Sequence, residues 1–181
     1  MAEISSPKPL TVAMYAVGAL LVCALLYQGI RESREEQPIH SGKAAPAFSL
    51  EKFEGGKLSL AELKGKVVML DFWATWCPPC VAELPSLVKL ADEYRGRGVV
   101  LVAANRDDPE VAREVIAAFM HQRVSGLDHR VVIADDTTAD RYHVSALPTL
   151  YIIGRNGDIL DATPGFSTEQ DVRAQLEQAL R

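Results

Sequence analysis

Two stretches with different hydrophobic periodicity meet near the middle of the chain. Residues 66–70 (KVVML) form a short, mostly apolar and β-branched run, which predicts a buried strand. Residues 81–94 carry apolar side chains at helical spacing, which predicts an amphipathic helix. The apolar positions of that helix are Leu84, Leu87, Val88, Ala91 and Tyr94. The segment between them, DFWATWCPPC, therefore lies where a strand passes into a helix, and Cys77 is expected at the helix start.

Further elements are predicted on both sides of this junction. Residues 46–60 alternate between apolar and polar side chains around Gly55 and Gly56, which indicates a hairpin. Strands are predicted at 98–104, 130–134, 148–153 and 158–162, and helices at 110–122, 136–142 and near the carboxyl terminus. We expect Ser167 and Gln170 to form a capping box for the last helix. The expected buried face of that helix is Val172, Leu176, Ala179 and Leu180.

The amino-terminal region has a different pattern. Residues 10–30 contain no charged side chain, and a helix of that length is about 31 Å long, enough to cross a bilayer core. A polar tail, 1–9, precedes this run, and a charged linker, 31–43, follows it. A cleaved signal peptide usually ends in small residues, and none of that pattern follows here. We therefore expect an uncleaved transmembrane anchor at 10–30 and a separate domain at 44–181.

Composition and charge restrict the classes of function that this chain can have. The chain has 181 residues, of which 48% are hydrophobic and 24% charged, as is typical of folded proteins. Its net charge of −5 and its lack of a basic stripe give no reason to expect a nucleic-acid partner. The three cysteines, Cys23, Cys77 and Cys80, are too few for a disulfide scaffold and fit an enzyme that uses a dithiol.

The spacing of Cys77 and Cys80 is compatible with a metal site, a structural disulfide or a redox dithiol. A zinc site needs four ligands, and neither Cys23 nor the histidines supply a second closely spaced pair, so no metal is expected. A structural disulfide across two residues would close little chain and stabilise little. At a helix start, by contrast, free N–H groups and the helix dipole stabilise a reactive thiolate. The sequence favours redox chemistry with no cofactor besides the Cys77–Cys80 disulfide.

The junction residues DFWA and WCPPC resemble the active-site segment of thioredoxins. The upstream segments APAFSL, GGKLSL and LKGKVV are similar to the lead-in of one branch, the membrane-anchored TlpA/ResA-like thiol–disulfide oxidoreductases. The resemblance covers residues 44–181. It implies an α/β, thioredoxin-like fold with an amino-terminal β-hairpin and a central strand–helix insertion at 130–142, preceded by one transmembrane helix.

Four residues are expected to carry the chemistry. Cys77 is the expected nucleophile, and Cys80, one turn further into the helix and less exposed, is expected to resolve the mixed disulfide. Asp71 lies in an apolar strand, where burial should raise the pKa of its carboxyl group. In thioredoxins the matching aspartate relays protons to the resolving cysteine. Glu83 matches an acidic residue that the branch places near the dithiol, although an exposed carboxylate in the first helical turn is an alternative interpretation.

Five residues are expected to contact a substrate: Trp76, Pro78, Pro79, Leu147 and Pro148. The two prolines between the cysteines fix φ and remove two N–H donors, which stiffens the loop. Pro148 matches the cis-proline that faces the dithiol in the thioredoxin fold, and a cis bond there would expose the Leu147 backbone to a substrate strand. Trp76 is expected either to cover the sulfur atoms or to pack against the domain.

The chain departs from both families at Asp71. Many TlpA/ResA-like proteins have an asparagine at that position. In thioredoxins a lysine usually faces the aspartate from the next strand, whereas residues 102–105 (VAAN) contain no lysine. The negative charge of the carboxyl groups is expected to disfavour a thiolate at Cys77, which favours a reductant over a strong oxidant.

The resemblance implies a single-pass protein of the inner membrane whose periplasmic domain reduces disulfides of client proteins. The branch suggests apocytochrome c or a copper-site protein as client, and the oxidised dithiol needs an upstream membrane thiol reductant. Basic residues flank both ends of the anchor, so charge alone does not decide its orientation.

Two other functions stay open. A peroxiredoxin-like peroxidase needs a threonine where Ala74 stands, and a copper-delivery module spaces its cysteines by three.

Overall fold

The chain divides into two units, Met1–Gln37 and Pro38–Arg181. The computed structural model describes residues 17–27, 41–122, 124 and 126–181. In the first unit, residues 17–27 form a helix, α1. None of the helices among the described residues is both long and apolar enough to span a membrane. Part of the predicted anchor at 10–30 lies outside the described residues, so the anchor stays a prediction.

The second unit is built on one mixed sheet. Its strands are β1 (Ser49–Lys52), β2 (Lys57–Ser59), β3 (Val67–Trp73), β4 (Val99–Asn105), β5 (Val131–Ile133), β6 (Thr149–Ile153) and β7 (Ile159–Pro164). Along the sheet they follow the order β2-β1-β5-β4-β3-β6-β7. The strand predicted at 66–70 is β3, which continues to Trp73 and pairs parallel with β4 and antiparallel with β6.

Helices follow the strands in the predicted order. They are α2 (Pro78–Glu93), α3 (Ala112–Gln122), α4 (Asp136–Arg141) and α5 (Glu169–Ala179), with short 3-10 helices at Leu60–Leu63, Arg95–Arg97 and Asp128–Arg130. The β1–β2 hairpin confirms the predicted turn around Gly55 and Gly56. β5 and α4 occupy the predicted strand–helix insertion. The result is a thioredoxin-like α/β fold.

Alternation along β3 divides the core into two layers. Val67, Met69 and Trp73 pack with buried residues of α2, α3 and α5 on one face. Val68, Leu70 and Phe72 pack on the opposite face, beneath residues that precede β1 and the 3-10 helix Leu60–Leu63. Because side chains alternate along a strand, Asp71 belongs to the face that α2 and α5 cover. A carboxyl group is thereby placed in an apolar layer.

The start of α5 differs from the prediction. Thr168, not Ser167, is the N-cap residue, and its hydroxyl accepts a hydrogen bond from the Asp171 N–H at 3.2 Å. The Asp171 carboxylate in turn accepts from the Thr168 backbone N–H at 3.3 Å, so Asp171 completes the capping box and Gln170 does not. Val172 and Leu176 are buried as predicted, while Ala179 and Leu180 are partly buried. Ser167 therefore belongs to the loop that precedes the helix.

Candidate active site

Cys77 and Cys80 form a disulfide at the junction of β3 and α2. The helix begins at Pro78 with Cys77 as its N-cap residue, which confirms the predicted position of Cys77. Cys77 is 4% exposed and Cys80 is fully buried, so Cys80 is the less accessible of the two, as predicted. The sulfur that an incoming thiol or disulfide can approach first is therefore that of Cys77.

The first turn of α2 offers few hydrogen-bond donors to that sulfur. Pro78 and Pro79 occupy its first two positions and carry no N–H group. The Cys80 N–H lies 3.3 Å from Cys77 Sγ and donates to it, whereas the Val81 N–H already bonds the Cys77 carbonyl oxygen. Among the residues of this turn, one backbone N–H thus faces the nucleophilic sulfur.

The loop before Cys77 is fixed by a buried carboxylate. Asp107 accepts hydrogen bonds from the backbone N–H of Thr75 at 3.0 Å and from its hydroxyl at 2.8 Å. The Asn105 amide donates to the same carboxylate at 2.6 Å, and the Asp107 N–H donates back to Asn105 at 3.0 Å. The two bonds from Thr75 tie the end of β4 to the segment that carries the dithiol, and the two bonds between Asn105 and Asp107 hold the carboxylate in place.

A surface cleft of about 520 Å³ opens beside the disulfide. Its lining residues are Trp76, Cys77, Pro78, Pro79, Arg106, Val144, Ser145, Ala146 and Leu147. The Leu147–Pro148 peptide bond is cis, as predicted. Trp76 is 67% exposed, so the interpretation that it packs into the domain is wrong. The cleft therefore brings four of the five predicted substrate-contact residues together around Cys77, and the fifth, Pro148, is buried directly after Leu147.

Asp71 is completely buried in the middle of the sheet. Its neighbours in the adjacent strands are Ala103 and Leu150, and neither of its carboxylate oxygens has a hydrogen-bond partner. Burial, and secondarily the negative charge of Glu83, raises the pKa of Asp71 well above its ordinary value. The predicted upward shift is confirmed.

Glu83 is also buried, with 1% of its surface exposed. It lies on α2, one turn after Cys80, so the interpretation that it is an exposed first-turn carboxylate is wrong. Burial raises its pKa to about 7, although one of its oxygens, Oε2, accepts a hydrogen bond from the Ser167 N–H at 3.2 Å. The other oxygen has no hydrogen-bond partner. Two carboxyl groups with raised pKa values thus lie in the same layer of the core as the disulfide.

Three residues of this region were not singled out by the sequence. Asp107 fixes the loop before Cys77, Arg106 lines the cleft, and Phe166 is 53% exposed next to the Ser167–Glu83 bond. Arg106 and Asp107 follow directly after β4, and polar residues at the carboxyl end of a parallel strand are a signal that could have found them. Phe166 carries no such signal, because its place depends on pairing between β6 and β7.

The raised pKa values predict an unusual dependence of stability on pH. Between about pH 4 and 7 the folded chain holds more protons on Asp71 and Glu83 than the unfolded chain does, so its stability falls as pH rises. The stability of Asp71→Asn relative to the wild type should therefore be greater at pH 8 than at pH 4.5, because the buried carboxyl group of the wild type has to ionise in the folded state as the pH rises. Urea unfolding of the oxidised full chain at both pH values measures the difference.

The matched control for this experiment is Asp140→Asn, which neutralises an exposed carboxylate on α4. It should change stability little, and equally at both pH values. An Asp71→Asn variant whose stability follows the wild-type pH profile would contradict the assignment of a high pKa to Asp71.

Comparisons with known proteins agree with this geometry. The model of the AhpC/TSA family matches residues 41–162. The thiol–disulfide oxidoreductase ResA of Bacillus thuringiensis (strain Al Hakam) is 34% identical over 154 residues, covering 84% of this chain and 85% of the relative. ResA of Halalkalibacterium halodurans is 38% identical over 138 residues, 76% of each chain.

Solved structures give the same result. A crystal structure from Chlorobium tepidum, provisionally named thiol:disulfide interchange protein DsbE, is similar with a TM-score of 0.70 and 31% identity. The match covers 79% of this chain and 99% of that one. The chain therefore belongs to the AhpC/TSA family, and within it to the thioredoxin-like thiol–disulfide oxidoreductases of the ResA type.

Proposed function

We propose that this oxidoreductase is a membrane-anchored reductant of disulfides in extracytoplasmic client proteins. The observation that carries the proposal is the sparse stabilisation of a thiolate at Cys77, which a single helix N–H faces. A dithiol is a strong oxidant when its reduced, thiolate form is heavily stabilised. Where that stabilisation is small, the disulfide form is favoured, and the reduced protein passes its two electrons to other disulfides.

The reaction begins with the reduced protein. The Cys77 thiolate attacks one sulfur of a client disulfide, forms a mixed disulfide and releases the other client sulfur as a thiolate. Cys80 then attacks Cys77 Sγ, which breaks the mixed disulfide, releases the second client thiolate and leaves the Cys77–Cys80 disulfide. Two electrons have moved from the protein to the client. An upstream thiol reductant in the membrane restores the dithiol.

The buried carboxyl groups serve the second step. Cys80 must lose its proton before it attacks, and Asp71 is the proposed acceptor beneath it. The negative charge of Glu83 helps to raise the pKa of Asp71. A carboxylate accepts a proton from a thiol more effectively when its own pKa is close to the pKa of the thiol. An aspartate with a raised pKa is therefore a better base for Cys80 than an ordinary aspartate. In this proposal Glu83 acts with Asp71 as a second proton-holding group.

The cleft provides the client site. Trp76, the two prolines and Leu147 line the cleft together with Cys77. A client segment that lies along the Leu147 backbone would present its disulfide to Cys77, as in strand-addition modes of peptide recognition. The client class that the resemblance implies is an apocytochrome c or a copper-site protein.

Nucleophile order is the most direct test of the reaction. In a Cys23→Ser background, the reduced Cys80→Ser variant should be alkylated by iodoacetamide at neutral pH and should trap clients as mixed disulfides at Cys77, without turnover. Cys77→Ser should neither trap clients nor reduce insulin. Mass spectrometry of the alkylated and trapped species identifies the reacting sulfur. Rapid alkylation of Cys80 beside an inert Cys77 would reverse the assignment.

Anchoring has its own test. If residues 10–30 span the membrane, the mature protein retains its amino terminus and stays with membranes after a high-salt wash, because burial of an apolar helix does not depend on charge. Protease added to intact spheroplasts should then degrade the domain at 44–181. A mature protein that begins after residue 30 and is released by salt would contradict the anchor.

A further inference from the structure

A group of basic side chains lies at the end of the sheet that is remote from the disulfide. β3 and β4 are parallel and begin together, with Val67 opposite Val99 and the Val67 N–H bonded to the Gly98 carbonyl oxygen at 3.0 Å. The loops that enter these two strands carry Lys64, Lys66, Arg95 and Arg97. Because Cys77 follows the other end of β3, the length of this strand, about 20 Å, separates these cations from the dithiol.

The turn after β6 adds Arg155 to the same end. β6 runs antiparallel to β3, with Ile153 opposite Val68. The Gly65 N–H donates to the Arg155 carbonyl oxygen at 3.0 Å, and Arg155 Nη2 donates to the Arg97 carbonyl oxygen at 3.2 Å. The loops before β3, before β4 and after β6 are thereby joined into one surface.

The segment through which the chain enters the domain attaches at this end as well. The Ile159 N–H donates to the Lys43 carbonyl oxygen at 2.8 Å. The next residue, Ala44, forms a bridge with Asp158. These bonds fix the segment beside the first residue of β7, next to the turn that carries Arg155. Lys43 therefore joins the same surface.

We call this surface the basic end, and it consists of Lys43, Lys64, Lys66, Arg95, Arg97 and Arg155, which are all exposed. Arg95 pairs with Asp92, and Arg97 pairs with Glu177 at 2.6 Å. Within the described part of the chain, the other four cations form no ion pair. Even when Asp158 is counted, the cations outnumber the carboxylates with which they pair or which lie beside them.

The opposite end of the domain carries the opposite charge. Because β4 and β5 are parallel, the loops that follow them lie at the end that holds the disulfide. These loops combine one cation, Arg106, with five carboxylates, Asp107, Asp108, Glu110, Asp135 and Asp136. The whole chain has a net charge of −5, so the excess of cations at the basic end is not a general property of its surface. An anionic surface would attract one end of the domain and repel the other.

A bilayer that contains anionic lipids is the partner that fits the basic end. Ten residues, 31–40, separate the predicted anchor from Ser41, and ten residues span at most about 36 Å. In an anchored protein, the segment at Lys43 is therefore kept near the bilayer surface. Anionic headgroups attract Lys and Arg side chains that come close to them. Cations that are spread over four loops suit a broad anionic surface.

We propose that the basic end docks on the anionic surface of the membrane and directs the disulfide end away from the bilayer. This inference rests on the proposed anchoring of residues 10–30. The anchor provides attachment, whereas the basic end provides orientation, and a docked domain presents Cys77 to clients in solution. The two contributions differ in their response to salt, because salt screens the attraction of charges and not the burial of an apolar helix.

The test measures the reactivity of Lys66 in the full chain. The protein is reconstituted with lipid nanodiscs of phosphatidylcholine, or of phosphatidylcholine and an equal amount of phosphatidylglycerol, and is treated with a dilute acetylating reagent at low salt. Mass spectrometry gives the acetylation rate of Lys66 relative to that of Lys57, an exposed lysine of the edge strand β2. In the anionic nanodiscs this ratio should be at least about threefold lower, because headgroups cover the docked amine. At 1 M salt, where the Debye length is about 3 Å, the difference should disappear.

Charge is removed from the basic end in the variant Lys64→Gln/Arg155→Gln, which keeps Lys66 as the reporter. The protection of Lys66 should be mostly lost, since each cation near an anionic surface strengthens binding about fivefold. The matched control, Lys89→Gln/Arg141→Gln, removes the same charge from exposed positions of α2 and α4. It should retain the protection.

The outcomes separate this inference from the function on which it rests. Equal reactivity of Lys66 in the two kinds of nanodisc would overturn docking through the basic end. An equal loss of protection in the control variant would also overturn it, because the attraction would then follow net charge and not this surface. Retention on neutral nanodiscs at high salt tests the anchor alone, and insulin reduction by the same preparation tests the reductase. A protein that fails either of these but protects Lys66 would contradict only the proposed function.

Discussion

The start of α2 at two consecutive prolines is the constraint on which the site depends. A helix amino terminus normally offers several free N–H groups to an anion. Here Pro78 and Pro79 remove two of them, and one N–H, from Cys80, faces Cys77 Sγ. A hydrogen bond to a charged group contributes about 1.5–3 kcal/mol. The gap between thioredoxin-like and strongly oxidising dithiols, about 150 mV, corresponds to about 7 kcal/mol, so the loss of two donors is large enough to matter for the proposed reducing function.

The carboxyl groups beneath the disulfide act in the same direction. β4 offers Ala103 beside Asp71, and no cation of the described residues contributes to the shift in its pKa. A buried charge without a partner is costly, so Asp71 holds a proton more readily than an exposed aspartate does. The fold tolerates this cost at a position where, in the proposed reaction, Asp71 takes a proton from Cys80. The pKa of Glu83 is raised as well, and its carboxyl group accepts a hydrogen bond from the Ser167 N–H in the loop before α5.

Local sequence patterns predicted the parts of the site that depend on neighbouring residues. The strand-to-helix junction, the position of Cys77 and the burial of Asp71 all follow from periodicity within about 30 residues. The parts that were left open or missed depend on distant pairs. Glu83 is buried because α5 and its preceding loop cover it, and Asp107 reaches Thr75 across 32 positions. The capping box lies one residue later than predicted, because both Ser167 and Thr168 have a side chain that can cap a helix.

The reduction potential of the Cys77–Cys80 pair tests the central claim most directly. The full chain with Cys23→Ser is equilibrated in glutathione buffers of graded ratio, and the oxidised fraction is counted by mass spectrometry after alkylation. Sparse thiolate stabilisation and two buried carboxyl groups predict a potential near that of thioredoxin, about −270 mV. A potential above about −150 mV would show a heavily stabilised thiolate, and this chain would then be an oxidant of client thiols and not a reductant.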